Sequence, residues 1–142
     1  MITIEKSTKD EIKAFNAKEW VATDVRYYGK GRHWIEEEFV FKAVENGEIV
    51  GTIYGKFAEG VLYIDDLIVT KDRRSLGIGR KLMEKAEAFG LKLKAHKAYL
   101  ITGKDWDEAR GFYEKLNYKK TGDFVNHYNN SDFVIYEKFF SF

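Results

Sequence analysis

The sequence has no cysteine and no proline, only three histidines, and almost no net charge, with 24 Lys plus Arg against 23 Asp plus Glu in 142 residues. Without cysteine there is no disulfide, no thiolate nucleophile and no Cys-based zinc or iron–sulfur site, which fits a reducing compartment and makes the cytoplasm the default expectation. A formal charge of +1 gives no broad pull toward nucleic acid or an anionic membrane. Long apolar runs are absent too. Residues 1–5 show no charged segment leading into an apolar stretch, so neither a membrane span nor a secretory signal is expected. His33, His96 and His127 are scattered and no His-Glu-x-x-His occurs, so no metal site is expected and the three read as surface or loop residues. No linker, low-complexity tract or repeat interrupts the chain, and residues 1–142 read as a single domain. At this size roughly 68–70% of the unfolded surface can be buried, enough for a core without staples.

What is present is a sequence of clear periodic segments. Residues 2–6 alternate as a short strand. Thr8 and Glu11 have capping-box spacing ahead of Ile12, Phe15 and Trp20, which predicts a helix to about residue 21. Residues 27–38, ending in Glu36-Glu37-Glu38, suit a loop and a short helix. Residues 39–45 and 49–57 are strand-like and joined by Asn46-Gly47, a strong hairpin signal; 61–69 follow Glu59-Gly60 as a third antiparallel strand. The period changes to helical over 79–93 and again over 105–116, on either side of a buried-type strand at 98–102. Two further strands, 118–124 and 133–139, close the chain around a polar turn at 126–132. The expected fold is α/β (α+β): a mixed, mostly antiparallel sheet of about seven strands flanked by about four helices. One right-handed βαβ crossover runs from 61–69 to 98–102, with those two strands parallel.

The most informative stretch runs from Tyr63-Ile64-Asp65-Asp66-Leu67-Ile68-Val69 through a basic loop to Arg74-Ser75-Leu76-Gly77-Ile78-Gly79-Arg80-Lys81. Two glycines one residue apart allow a tight turn that exposes backbone N–H groups at the start of a helix, where the dipole favours an anion. Arg73, Arg74, Arg80 and Lys81 add positive charge, so the segment describes a phosphate cradle. The plainer reading is a strand-to-helix turn with solvated basic residues. The Walker pattern is absent, and the dinucleotide fingerprint lacks its third glycine, where Leu82 stands.

Arg74-Ser75-Leu76-Gly77-Ile78-Gly79 resembles the Arg/Gln-x-x-Gly-x-Gly/Ala segment of the GNAT superfamily of acyl-CoA-dependent N-acetyltransferases. Ala109-Arg110-Gly111-Phe112-Tyr113-Glu114-Lys115-Leu116-Asn117-Tyr118 is similar to that family's later Ala-x-x-Phe-Tyr-x-Lys-x-Gly-Phe/Tyr segment, and the order of elements matches along nearly the whole chain. The resemblance implies acetyl-CoA as co-substrate, its pyrophosphate on the amides of Leu76, Gly77, Ile78, Gly79 and Arg80, with Arg74 and Ser75 in the same loop. It also implies a pantetheine arm paired with Leu67, Ile68 and Val69 where that strand splays from 98–102, and Tyr113 facing the sulfur as the acid that protonates the thiolate. Two departures stand out: Trp106 where an Asn is often found, and Asn117 where a Gly commonly ends the helix.

Acyl transfer to an amine needs a neutral nitrogen, a polarised carbonyl and a proton for sulfur. A backbone N–H near Leu67 suits the oxyanion. Strand alternation sends Asp65 and Asp66 to opposite faces, and either is a candidate base. Tyr63-Ile64-Asp65-Asp66 looks similar to the Tyr-Leu-Glu-Asp stretch of spermidine/spermine acetyltransferases, which puts Asp65 first; a capping or pairing role for either carboxylate is the alternative. Tyr27, Tyr28, Trp34, His127 and Tyr128, with Glu36, Glu37, Glu38 and Asp66, match segments lining the acceptor side in the family and suit a cationic amine, or else are core and loop residues. The expected reaction is direct acetyl transfer to a primary amine, a small amine or polyamine. A protein or peptide amino group is the alternative acceptor, and an inactive acyl-CoA-binding sensor the alternative function. Neither nucleic acid nor membrane is an expected partner. Phe139-Phe140-Ser141-Phe142 is an apolar end that suits a homodimer contact or packing on its own sheet.

Overall fold

The structure, a computed structural model, describes residues 1–31 and 34–141 and divides into two compact units, Met1–Trp34 and Ile35–Phe142. The first unit is a 20-residue helix, α1 (Lys9–Tyr28). Thr8 caps it as the sequence predicts, its hydroxyl accepting the Glu11 N–H at 3.2 Å. Gly29 ends it in the left-handed region at φ 78°, its N–H bonded to Val25 O. The helix therefore runs a full two turns beyond the expected residue 21, because no glycine intervenes before Gly29.

The second unit is a six-stranded sheet in the order β1-β2-β3-β4-β6-β5: β1 (Glu36–Glu45), β2 (Glu48–Ala58), β3 (Val61–Val69), β4 (Lys97–Gly103), β5 (Lys119–Phe124) and β6 (Phe133–Phe139). Helix α2 (Ile78–Lys92) connects β3 to β4, and α3 (Asp107–Lys115) follows β4. Every neighbouring pair is antiparallel except β3 and β4, the parallel pair that the crossover predicts. Asn46 and Gly47 both take positive φ, 51° and 79°, in the two-residue turn between β1 and β2, and Glu59 and Gly60 do the same between β2 and β3. The core lies between the sheet and α2, where Phe39, Ile53, Phe57, Leu62 and Ile64 meet Leu82, Met83 and Ala86.

The architecture is the expected class with fewer elements. Residues 1–8 form no strand: two isoleucines in a pentapeptide bury too little to hold an extended backbone, which needs a paired edge to satisfy its N–H and C=O groups. The short helix expected within 27–38 is absent among the described residues. Residues 27 and 28 finish α1, and Glu36, Glu37 and Glu38 open β1. His33 lies outside the described residues.

The end of α3 bears on the site. Asn117 takes φ 71°, its N–H reaches Glu114 O at 3.0 Å, and Tyr118 N–H reaches Tyr113 O at 3.1 Å. This is the Schellman arrangement, with the Tyr118 ring against Tyr113 (6.1 Å between centroids). Asparagine thus does here what glycine would. Asn117→Gly is expected to leave thermal stability nearly unchanged, whereas Asn117→Ala should cost about 1 kcal/mol, read as a lowered midpoint in a urea titration.

Candidate active site

β3 and β4 are hydrogen-bonded only at their first residues, Val61–Tyr63 against Lys97–Tyr99. Beyond Tyr63 the two strands separate, while β3 stays paired with β2 as far as Val69 against Gly51. The β4-facing side of β3 from Ile64 onward therefore opens into a cleft of about 1100 Å³. β3 supplies one wall, from Ile64 to Val69, and Leu100, Ile101 and Thr102 of β4 the other; α3 contributes Phe112 and Tyr113, and the loop before α2 closes one end.

That loop has the geometry its sequence suggests. Ser75 and Gly77 take φ 69° and 83°, and Gly77 is the N-cap of α2 without any side-chain cap. The first intrahelical acceptor bond goes from Lys81 N–H to Gly77 O at 3.1 Å, so the amides of Ile78, Gly79 and Arg80 precede the ladder and carry the positive end of the helix dipole. Around Gly77 a β-carbon would meet nothing within 4 Å, so the loop is open where a ligand would approach. At Gly79 a β-carbon would come within 3.2 Å of the Phe112 ring, and this close approach joins the cradle to α3. Arg74 donates through Nε to Val69 O at 3.1 Å, tying the loop to the end of β3. Arg73 is drawn instead to Glu45 at 2.8 Å and Asp72 at 3.3 Å, and Arg80 pairs with Glu84 at 3.5 Å. Leu67, Ile68, Val69, Arg74, Ser75, Gly77, Ile78, Gly79 and Arg80 all line the cleft. Leu76 is not among the lining side chains, being 64% exposed.

Asp65 and Asp66 depart from simple alternation. In the β2–β3 register Tyr54 opposes Asp66 and Gly55 opposes Ile64, so Asp65 is the extra residue of a β-bulge. A bulge re-aims side chains, and both carboxylates line the cleft. The bulge is legible as a phase slip: the core-facing positions of β3 are Leu62 and Ile64 before it, Leu67 and Val69 after it. Gly55 makes it sterically feasible, since a β-carbon there would lie 1.9 Å from Tyr63 O.

The two carboxylates have different neighbours. Burial, and secondarily the charge of Asp66, push the Tyr113 hydroxyl up to about 12, so it stays protonated throughout the neutral range. Tyr63 also rises to about 12, chiefly through burial and then through Asp65, which also accepts its hydrogen bond, with Tyr99 and Tyr128 contributing. Tyr63 and Tyr99 stack at 4.7 Å across the β3–β4 pair. Tyr128 packs on Phe133 at 5.1 Å, and His127 on Phe124 at 4.5 Å, so the turn expected on the acceptor side gathers its aromatics onto the adjoining ends of β5 and β6. Tyr27, Tyr28 and Trp34 belong to the first unit.

Phe112 and Trp106 are among the cleft residues to which sequence reasoning gave no role. Phe112 was legible as the aromatic beside Tyr113, but its packing on Gly79 requires the fold. Trp106 is the N-cap of α3 without a side-chain cap bond; its indole lies over Gly103, where a β-carbon would come within 2.5 Å, and against Phe133 at 5.6 Å. A flat ring thus lines the cleft at the position where the resemblance leads one to expect an asparagine. The Phe139–Phe142 end divides: Phe140 packs on the core, Phe139 is exposed under the Lys97 ammonium, and residue 142 lies outside the described residues. Among the described residues no group of three His, Asp or Glu is gathered to hold a metal ion, and no helix is long and apolar enough to cross a membrane.

Two parallel central strands part beside a helix N-terminus without a side-chain cap, and the cleft between them carries Asp65 and Asp66 on β3 and Tyr113 on α3. The model of the Acetyltransferase (GNAT) family matches residues 6–118, and the chain belongs to this family of acyl-CoA-dependent acyltransferases, with acetyl-CoA as co-substrate. Similar solved structures include an acetyltransferase from Bacillus cereus (TM-score 0.69, 23% identity, 98% of each chain covered). A Bacillus subtilis acetyltransferase in complex with CoA (0.67, 15% identity, 96% of each chain) is also similar. So is the ribosomal-protein-S18-alanine N-acetyltransferase of Escherichia coli (0.65, 16% identity, 98% of this chain and 93% of that one). At these identities the likeness speaks for the fold. No curated protein matches the sequence.

Proposed function

We propose that this chain transfers an acetyl group directly from acetyl-CoA to a primary amine, with a small amine or polyamine as acceptor. One observation carries the reading: the cleft along the open side of β3 joins the uncapped N-terminus of α2 to Asp66 and Tyr113. The residues suit the donor. The amides of Ile78, Gly79 and Arg80, with Arg74 and Ser75, take the pyrophosphate. The unpaired side of Leu67, Ile68 and Val69 offers strand-type hydrogen bonds to the amide-bearing arm. A backbone N–H near Leu67 stabilises the charge developing on the carbonyl oxygen.

Asp66 serves as the base, directly or through a water, on the ground that its charge bears on Tyr113, while Asp65 faces a second cavity as well. The nitrogen forms a bond to the acetyl carbon, the carbon–sulfur bond breaks, nitrogen loses a proton and sulfur gains one. Asp66 takes the nitrogen's proton, Tyr113 passes its hydroxyl proton to the departing sulfur, and the proton on Asp66 returns to the phenol oxygen, so both groups end as they began. A sensor that only binds acyl-CoA would not need this phenol. A protein amino group is the second reading, supported by the relative that acetylates a ribosomal-protein alanine. We also read residues 1–142 as one domain, supported by a family match that spans both compact units.

Gly77→Ala tests the cradle. No atom obstructs the new methyl, but φ 83° strains any L-residue by about 1–2 kcal/mol. Calorimetric titration with acetyl-CoA should show affinity weakened about tenfold, with the melting temperature lowered by only a few degrees. Unchanged affinity would remove the loop from the binding site.

A further inference from the structure

Helix α3 carries the acid of the proposed transfer, yet none of its nine residues is buried. Phe112 and Tyr113 are the two that pack against the core, both of them partly exposed. The helix divides by side. Gly111, Phe112, Tyr113 and Lys115 line the cleft, whereas Arg110 and Glu114, four residues apart and so on one face, do not. That second face meets the hydroxyl of Tyr136 on β6, a side chain with no solvent exposure. Arg110 Nε donates to this oxygen at 2.8 Å, and the hydroxyl donates in turn to Glu114 at 3.0 Å. Another Arg110 nitrogen donates to Lys104 O at 2.7 Å, just past the end of β4.

Tyr136 opposes Leu100 of β4, itself a wall of the cleft, so the phenol is held by the same ladder that shapes the site. A short helix resting on two rings is free to roll about its axis. With side-chain ends about 5–6 Å from the axis, a roll of about 20° carries them roughly 2 Å. Misplacing a reacting group by about 1 Å can cost about 100-fold in rate. The Tyr136 hydroxyl opposes such a roll, because it grips α3 at two points one turn apart, as acceptor at one and donor at the other.

We infer that Tyr136 is a positioning residue for the transfer: its buried hydroxyl, bridging Arg110 and Glu114, sets the rotation of α3 and with it the place of the Tyr113 phenol in the cleft. The inference rests on the role proposed for Tyr113 and adds a residue that lies outside the cleft lining. Tyr136→Phe removes one oxygen and keeps the ring that fills the core. Arg110 and Glu114, at the spacing of a helical ion pair, then pair with each other. The fold survives this exchange, and the rotation of α3 does not.

The test follows thiol release from acetyl-CoA well below the melting temperature, with whichever is fastest of a straight-chain diamine, a monoamine and a peptide amino terminus. Tyr136→Phe should lower kcat about tenfold, while KM for the amine and the dissociation constant of acetyl-CoA change by less than about twofold. Exposed Glu114 supplies an independent variant. Glu114→Ala should reproduce the loss, and Glu114→Gln, which keeps an oxygen acceptor for the phenol, should recover most of it. In a Tyr113→Phe chain the same Tyr136→Phe change should cost no further kcat, because no hydroxyl remains to be placed; a change that merely loosened the fold would cost the same in both backgrounds. Wild-type kcat in both Tyr136→Phe and Glu114→Ala, or an equal loss with and without the Tyr113 hydroxyl, would overturn the positioning role while leaving Tyr113 in the chemistry. Tyr113→Phe with wild-type kcat would overturn the proposed acid, and release of no thiol with any amine the transfer itself; the positioning role would go with either.

Discussion

Gly55→Ala is expected to lower the unfolding free energy by about 3 kcal/mol and the melting temperature by roughly 10 °C. The added methyl would sit 1.9 Å from the Tyr63 carbonyl oxygen and 2.9 Å from the Phe39 ring. A side chain can rotate away from a clash, but a carbonyl held in a strand ladder cannot, so β2 must move off β3. That is the place where Asp65 is looped out of register between Ile64 and Asp66. Turnover measured on fully folded protein, well below the melting temperature, should therefore fall more than the stability loss accounts for, because the two carboxylates lose their common aim. A contrast comes from Gly77, where the methyl has open space and the cost is local strain alone. A Gly55→Ala protein that melted with the wild type would mean that the bulge does not constrain the pair.

Gly55 also shows where reading the sequence stops. The hairpins were legible because Asn46-Gly47 and Glu59-Gly60 carry a local conformational requirement, positive φ at both positions, which the structure reproduces. The crossover was legible because the period changes from two to helical at Gly79. The α1 start was legible from Thr8 and Glu11, yet residues 2–6 alternate just as convincingly and form no strand, since pairing is decided by a partner edge and not by the segment. The bulge lies between these cases. Its phase slip from Leu62 and Ile64 to Leu67 and Val69 is written in the sequence, but alternation treated as unbroken sends Asp65 and Asp66 to opposite faces, whereas both line the cleft. The parting of β3 from β4 had no local signal at all; the family resemblance supplied it, and the register confirms it by ending at Tyr63 and Tyr99. Trp106 lay within the motif, but its place over Gly103 and against Phe133 depends on three segments meeting.

Tyr113→Phe is expected to reduce kcat about 100-fold while changing the acetyl-CoA dissociation constant by no more than about a factor of two. Removing one oxygen leaves the ring against Phe112 and Tyr118, so packing and the Schellman end of α3 survive. What goes is the single hydroxyl on α3 that faces both the cleft and Asp66. Its position near 12 sets the sign of the pH dependence. A phenol at its ordinary value near 10 would begin to ionise on the alkaline side of the working range and take the rate down with it. Here burial and the Asp66 charge keep the hydroxyl protonated, so the wild-type rate should rise with pH as the acceptor amine loses its proton, with no alkaline decline until well above pH 10. An alkyl thiol near 8.5 is a stronger acid than such a phenol. Tyr113 therefore gives its proton to sulfur as Asp66 hands the proton taken from nitrogen back to the phenol oxygen, not by giving up a proton unaided. Asp66→Asn should accordingly lower kcat as well, and the double variant should lose less than the product of the two single losses, since both groups serve one proton transfer. Fully multiplicative losses would assign Asp66 and Tyr113 to separate steps, and a Phe variant with wild-type kcat would remove Tyr113 from the chemistry.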